Sequence, residues 1–243
     1  LNGRYACRNE MMVEQTRGTH FSWGASIAWG QAFQPEIIQP NAPSGSYTVD
    51  NGEPGAVTVG SDYLASYDPL QRAEMYSITG HFRDMLYNYT ISFGTDYLSI
   101  GGGELSAWVP KLGASYQIAL VPEVLYLSPG VEVGMGYMQQ NIDAVNKISG
   151  EKRDYVRDWS PMFAGTLEGM VQIKSLQLFA KVAWQQLTFK NWKYRANTGE
   201  YDDDGNAKTK AYRIPAALVP YPQVRTGPLF MQAGIRIDVP GSF

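Results

Sequence analysis

The chain has 243 residues, a formal net charge of −3, 25 glycines, 16 tyrosines and one cysteine, Cys7. This length suits one large all-β domain or two small ones. The slightly negative net charge gives no sign of the basic surface that nucleic-acid binding requires. A single cysteine excludes an internal disulfide framework and thiolate metal clusters. Uninterrupted apolar runs of about 18 residues are absent, so the sequence predicts no membrane-spanning helix but leaves spanning by strands open.

From residue 20 onward the chain alternates between apolar and small or polar positions, as a strand with two different faces does. In the first such segment Trp23, Ile27 and Trp29 share one face, and Ser22 and Ser26 share the other. The alternating segments are 20–33, 75–83, 87–97, 108–118, 125–137, 163–173, 176–185 and 231–239. Residues 1–19 fail the pattern. We therefore predict an N-terminal periplasmic or lumenal segment over 1–19 and a single β domain over 20–243.

The connections between these segments differ in length. Short links fall at 83–86, 121–124 and 174–175, whereas 34–73, 140–159 and 190–228 are long; the link at 101–104 is short where the order calls for a long one. Short turns at one end and long loops at the other are typical of bacterial outer-membrane barrels. The pattern predicts an all-β, transmembrane, antiparallel up-and-down barrel of about eight strands, with short periplasmic turns, long extracellular loops and both termini in the periplasm.

Two of the long connections contain turn signals of their own. Asn51–Gly52 lies between two short β-like runs and predicts a hairpin outside the membrane. Asp204–Gly205 predicts a second hairpin, a ribbon that continues the seventh and eighth strands beyond the bilayer. The acidic run that begins at Glu200 fails as a calcium loop, because Ala211 stands where the bidentate glutamate belongs. We interpret it as a solvated hairpin tip and predict neither a metal nor a cofactor.

The polar faces carry charges that should point into the lumen of the barrel. They are His81, Arg83, Asp96, Lys111, Glu132, Glu168, Lys181 and Arg236. Pairing Ile173 with Leu176 across a tight turn places Glu168 opposite Lys181, which predicts an ion pair. A barrel of eight strands is only wide enough for its own side chains. The lumen is therefore expected to be closed by a polar, ionic core.

The apolar faces are rich in aromatic residues, which barrels concentrate in two girdles at the membrane interfaces. The predicted girdle residues are Phe21, Trp23, Trp29, Tyr87, Tyr89, Tyr97, Trp108, Tyr137, Phe163 and Trp184. Phe21, Trp23, Tyr87 and Tyr89 are assigned to the periplasmic side and the others to the outer side.

The last segment contains a short motif in which a polar residue, a glycine and two apolar residues recur at fixed spacing. Gln232, Gly234, Ile237 and Val239 occupy these positions, and the chain ends in the aromatic Phe243 after an intervening Pro-Gly-Ser. The motif resembles the assembly signal of bacterial outer-membrane barrel proteins. This resemblance implies recognition by the barrel assembly machinery and a location among outer-membrane lipids.

These features favour a non-enzymatic outer-membrane barrel whose extracellular loops bind a protein, a glycan or a surface complex. Two alternatives stay open on the sequence alone: the C-terminal part of a larger barrel with a transport function, and a soluble β-sandwich that binds a ligand. A lipid-modifying barrel enzyme would need histidine, serine and an acid at the outer rim. The only histidines, His20 and His81, fall near periplasmic strand ends instead.

Overall fold

The structure is a computed structural model that describes residues 21–32, 47–49, 57–59, 72–84, 86–103, 105–141, 155–173, 175–214, 218–226 and 228–240. The N-terminal segment 1–19, His20 and the terminal Phe243 lie outside these ranges. The strands are β1 (Phe21–Ala32), β2 (Tyr47–Val49), β3 (Val57–Val59), β4 (Ala73–Asp84), β5 (Tyr89–Ile100), β6 (Leu105–Tyr116), β7 (Ile118–Val121), β8 (Leu125–Asn141), β9 (Tyr155–Ile173), β10 (Leu176–Gln186), β11 (Thr188–Phe189), β12 (Lys193–Tyr201), β13 (Ala207–Arg213), β14 (Val224–Arg225) and β15 (Leu229–Pro240).

Eight of these strands form a closed antiparallel barrel in the order β1-β4-β5-β6-β8-β9-β10-β15. The barrel closes where β15 pairs with β1, from Ser22–Pro240 at one end to Ala32–Phe230 at the other. The predicted all-β, antiparallel up-and-down barrel of about eight strands is confirmed. The β-sandwich alternative is wrong, because the eight barrel strands form one closed sheet where a sandwich needs two.

The stagger of the barrel follows from the strand register. Moving from each residue to its partner on the next strand leads from Gly169 of β9 around the barrel to Trp159 of the same strand, 169 − 159 = 10 residues away. A stagger of this size tilts eight strands by about 40° from the barrel axis. A strand of 12 residues, about 40 Å long, then rises by about 30 Å along that axis.

The two ends of the barrel differ, and we name them the turn end and the loop end. At the turn end, tight turns at 86–88 and 122–124 and the link through Ser175 join consecutive strands. Asn88 and Glu123 adopt φ values of 57° and 66° there. The strand ends at Ala32, Asn141 and Gln186 and the short turn at Gly101–Gly103 lie at the opposite end, the loop end.

Both predicted hairpins form, but one of them attaches to a different strand than expected. β2 pairs with β3, and β12 pairs with β13 to form a ribbon. The ribbon does not continue β10 and β15 as predicted; Lys193 of β12 pairs with Arg157 of β9. The reason is that β10 leaves the edge of β9 at Gln186 and the chain then turns inward. The free upper edge of β9 is taken by β12.

The loop-end half of the lumen is apolar, which corrects the expectation of a polar core throughout. Residues 187–192 and 218–226, which we call the plug, fold into the mouth of the barrel and include the short β11–β14 pair. Phe189 and Tyr221 of the plug pack with inward-facing barrel residues such as Met138 and Met162. The long connection thus supplies mainly apolar partners for the upper barrel wall.

Hydrogen bonds between barrel side chains and plug backbone, together with one bond within the plug, hold the plug in place. Asp158 Oδ2 accepts bonds from the amides of Lys190 and Asn191 at 2.8 and 2.9 Å. Gln140 donates to the carbonyl of Tyr221 at 2.8 Å and accepts from its amide at 3.0 Å. The indole of Trp192 donates to the carbonyl of Pro222 at 3.0 Å. Each bond satisfies a backbone group that would otherwise be costly to bury.

Candidate functional site

The eight charged residues predicted to face the lumen all lie on the inner face of the barrel, where they form three groups. From the loop end towards the turn end, these are a cluster of four residues, a pair with an aromatic neighbour, and a cluster around a carboxylate of the last strand. Along β15 the order is visible directly, because Gln232 borders the first group, Arg236 belongs to the second and Asp238 to the third.

The first group, which we call the tetrad, consists of Asp96, Lys111, Glu132 and Lys181. Lys111 Nζ lies 2.9 Å from Asp96 Oδ2 and 2.9 Å from Glu132 Oε2, and Lys181 Nζ lies 3.1 Å from Glu132 Oε1. Two carboxylates and two ammonium groups therefore alternate and cancel in charge. Such alternation is what makes buried charges tolerable, since an unpaired one would be strongly destabilising.

The hydrogen-bonded chain extends beyond the tetrad. Ser77 Oγ donates to Asp96 Oδ1 at 2.6 Å, and Gln232 Nε2 donates to Ser77 Oγ at 2.8 Å. The participating residues come from β4, β5, β6, β8, β10 and β15, so the chain crosses the lumen between most of the barrel strands. It forms a polar layer directly beneath the apolar plug region.

The predicted ion pair between Glu168 and Lys181 is wrong, although the predicted register is correct. The two residues are direct partners on β9 and β10. Lys181 nevertheless binds Glu132, while Glu168 accepts from Arg236 at 2.9 Å. In a narrow barrel all inward side chains converge, so a residue on a non-adjacent strand is as close as the neighbour. The Arg236 guanidinium also lies 5.2 Å from the centre of the Phe179 ring.

The third group surrounds Asp238 at the turn end. A 3.0 Å hydrogen bond joins Asp238 Oδ1 to His81 Nε2. Asp238 Oδ2 accepts a hydrogen bond from Gln177 at 2.8 Å and lies 3.7 Å from Arg83 Nη1. Gly24 sits between His81 and Asp238, and a Cβ there would overlap both side chains. Glycine is therefore the residue that lets this bond cross β1.

Two carboxylates were missed as site residues. For Asp238 a signal existed, because the alternation of the last segment already placed this residue on the inner face. Asp158, which anchors the plug, lies outside the segment where alternation was recognised, so no sequence signal pointed to it.

A cavity of about 40 Å³ lies between the tetrad and the Arg236–Glu168 pair. Its walls carry many hydroxyl groups, among them those of Ser26, Thr79, Ser92 and Thr166. A space of this size accommodates a few water molecules.

The outward-facing side of the eight barrel strands, the outer wall, is apolar and exposed. Six aromatic residues on six consecutive strands pair directly in register and form a continuous row. They are Trp29, Tyr76, Tyr97, Trp108, Tyr137 and Trp159. Ring centroids lie 6.4 Å apart for Tyr76–Tyr97, 5.0 Å for Tyr97–Trp108 and 4.7 Å for Tyr137–Trp159. The sequence prediction had omitted Tyr76 and Trp159 from the girdle.

The other predicted girdle residues also lie on the outer wall. Towards the turn end, Phe21 and Trp23 both contact the ring of Phe82, at 4.8 and 4.9 Å. Tyr87 and Tyr89 are exposed at the same end. Phe163 and Trp184 are exposed on β9 and β10. Aliphatic side chains fill the belt between the two aromatic zones, and Ile27, Ile78, Leu112 and Val131 each expose about 60% or more of their surface.

The motif on the last strand divides between the two faces of the barrel. Gln232 is buried in the lumen and Gly234 lies against the Phe179 ring, whereas Ile237 and Val239 are exposed on the outer wall. Its recognition by an assembly machinery stays a prediction.

The part of the chain that the structure describes contains no helix with the length and hydropathy of a transmembrane helix. That part also contains no group of three or more His, Cys, Asp and Glu side chains arranged to hold a metal ion. His81 is buried in the lumen at the turn end, remote from the loop end where a lipid-modifying site was considered.

Comparison with known proteins gives a likeness in fold. No family model matches the sequence, and no curated protein sequence matches it. Among solved structures, the chain is similar to the crystal structure of Neisserial surface protein A (NspA), with a TM-score of 0.44 and 8% sequence identity over 90% of this chain and 97% of that one.

Proposed function

We propose that the protein is a non-enzymatic integral protein of a bacterial outer membrane, whose closed barrel presents its loop end to a partner outside the cell. The observation that carries this proposal is the inverted distribution of polarity across the barrel wall. Charged residues such as Lys111 and Glu132 are inside, and large apolar side chains such as Ile78 and Val131 are outside. Only an apolar surrounding makes that arrangement stable.

The dimensions and the aromatic zones support a bilayer as this surrounding. A rise of about 30 Å per 12-residue strand covers the apolar band of about 25 Å that outer-membrane barrels display. Aromatic side chains cluster above and below the aliphatic belt, where tyrosine and tryptophan favour the membrane interface. A water-exposed wall of this apolar area would instead aggregate.

The interior supports a role other than conduction. The tetrad crosses the lumen in the middle, and the plug fills its loop-end half with apolar side chains. Both layers are packed, so we propose that the barrel serves as a rigid support and not as a pore. The ribbon β12–β13, with the exposed Tyr201 and the acidic tip at Asp202–Asp204, projects from the loop end and offers a surface to a protein or glycan.

Tryptophan quenching by brominated lipids tests the membrane location. Five tryptophans, Trp23, Trp29, Trp108, Trp159 and Trp184, are about half exposed on the outer wall, whereas Trp192 is 2% exposed inside the plug. In single-tryptophan variants reconstituted into vesicles, we expect lipids brominated along the acyl chain to quench the five but to leave Trp192 emission unchanged. Equal quenching of Trp192 and Trp108, or no quenching of either, would contradict the proposal.

Cysteine labelling tests which end faces outward. Asp203→Cys at the ribbon tip and Ser175→Cys at a short turn are both placed at exposed positions, in a background where Cys7 is replaced by serine. On intact cells, a membrane-impermeant maleimide is expected to label Asp203→Cys and to reach Ser175→Cys only after permeabilisation. The opposite labelling pattern would place the short turns outside the cell, and the loop end could then not bind an extracellular partner.

A further inference from the structure

Three basic residues form one row across three neighbouring strands at the loop end. Arg157 of β9 pairs with Lys193 of β12, and Lys193 pairs with Arg213 of β13. Directly paired residues point to the same side, with Cβ atoms about 5 Å apart, and like charges in such pairs destabilise a sheet. Arg195 lies two residues along β12 and adds a fourth cation to this face. We call these four residues the basic face.

The basic face points away from the barrel axis. Tyr194 and Tyr212, the next paired residues on β12 and β13, stack on the opposite side with ring centroids 5.7 Å apart. Tyr194 is buried in the loop-end core, so its neighbours Lys193 and Arg195 must project outward, and both are exposed. Arg213 is exposed on the same side.

The basic face lies just beyond the aromatic row, on the side of the loop end. On β9 the outward residues Phe163, Pro161, Trp159 and Arg157 follow one another towards the loop end. Trp159 ends the aromatic row on the outer wall, so the cations begin directly beyond the interfacial aromatics. On a membrane barrel this is the layer of lipid headgroups, and a positively charged surface there complements an anionic headgroup.

We propose that the basic face binds the phosphate groups of a phosphorylated glycolipid in the outer leaflet, with its acyl chains against Trp159 and Phe163. This inference rests on the proposed outer-membrane location. The guanidinium groups match phosphate oxygens in a bidentate manner, and the lysine adds a compact charge. A bound phosphate also removes the repulsion between Lys193 and Arg213. The apolar wall directly below fits a lipid better than a soluble acidic protein.

A double variant of the ribbon tests the site against a matched control. Lys193→Gln with Arg213→Gln removes two charges from the basic face. Lys208→Gln with Lys210→Gln removes two charges from the same ribbon, where Lys208 lies 3.7 Å from Glu200 and Lys210 lies over the Tyr212 ring. Each cation near a lipid headgroup contributes about fivefold in binding, so the first pair should weaken binding about 30-fold and the control less than about twofold.

The measurement is native mass spectrometry of the full chain in detergent, titrated with bisphosphorylated lipid A and with its dephosphorylated form. We expect the wild type to retain the bisphosphorylated lipid, and inorganic phosphate at millimolar concentration not to displace it. Displacement by inorganic phosphate would show a simple anion site and overturn the lipid assignment. Arg195→Gln, which leaves the Lys193–Arg213 row intact, should weaken binding about fivefold.

Equal losses in the two double variants, or equal binding of the phosphorylated and dephosphorylated lipid, would overturn the inference. Tryptophan quenching in the same variants distinguishes failure of the lipid site from failure of the proposed membrane location. If Trp108 is quenched by brominated lipid but lipid A does not bind, the barrel is in the membrane and only the headgroup site is wrong. If Trp108 is not quenched, both proposals fail.

Discussion

Glu132→Gln is expected to lower the free energy of unfolding of the barrel by about 3–5 kcal/mol, because it breaks a buried charge network at its shared member. Glu132 binds Lys111 and Lys181 at the same time, at 2.9 and 3.1 Å. The neutral amide would leave two buried ammonium groups with Asp96 as the single carboxylate of the tetrad. Equilibrium urea unfolding in phosphatidylcholine vesicles, followed by tryptophan emission, measures the loss.

Restoring charge balance should recover most of that stability. In the double variant Glu132→Gln, Lys181→Gln, the pair of Asp96 and Lys111 remains intact at 2.9 Å and no unpaired cation is left in the tetrad. Glu200→Gln serves as the surface control, since its ion pair with Lys208 is exposed and should change stability by less than about 0.5 kcal/mol. If the double variant is less stable than Glu132→Gln alone, charge imbalance is not the cause.

The network also explains why the barrel is expected to be closed. A conducting barrel keeps water between its charged walls, whereas here the opposite charges contact one another directly across the lumen. Only β9 separates β8 from β10, and the inward side chains of an eight-stranded barrel converge, so Glu132 reaches Lys181. Closure of the lumen and stability of the barrel therefore depend on the same side chains. Variants of these side chains that open the lumen should also destabilise the barrel.

The barrel could be predicted from the sequence because its determinants are local. Alternation at period two assigns each side chain to a face without knowledge of its partners. This is why the eight segments, the position of Glu132 in the lumen and that of Trp108 on the outer wall all follow from sequence alone. The register of the β9–β10 hairpin followed as well, since the tight turn at Ser175 fixes it.

What could not be predicted depends on contacts that are distant in the chain. The ion-pair partners of Lys181 and Glu168 are set by the stagger of the whole barrel, which no single segment encodes. The plug escaped prediction because residues 187–192 and 218–226 show no sustained alternation, and their packing depends on the cavity that they enter. The ribbon was recognised from its turn, but its attachment to β9 depends on where β10 ends.

Trp192→Ala is expected to release the plug while leaving the barrel folded. Trp192 is buried in the loop-end core, donates its indole N–H to the carbonyl of Pro222 and lies 6.3 Å from the Phe189 ring. Truncating a buried aromatic residue costs about 3–5 kcal/mol, which is enough to open a small locally packed unit. Hydrogen-exchange mass spectrometry should show lost protection in peptides covering 187–192 and 218–226, with β1 and β15 still protected.

Trp184→Ala is the matched control, because Trp184 has the same side chain but faces outward on β10. Its truncation should leave the exchange of the plug peptides unchanged. Loss of protection throughout the barrel in Trp192→Ala would instead show that plug and barrel unfold as one unit.

The plug variant also separates the two layers that close the lumen. The tetrad lies nearer the turn end than the plug and contacts the barrel wall independently of it, so Trp192→Ala should still give no single-channel current in planar bilayers. Combining Trp192→Ala with Glu132→Gln removes the support of both layers and is the variant in which current is expected. A current in Trp192→Ala alone would make the plug the only seal, and the charged layer beneath it would then have to hold a water-filled path.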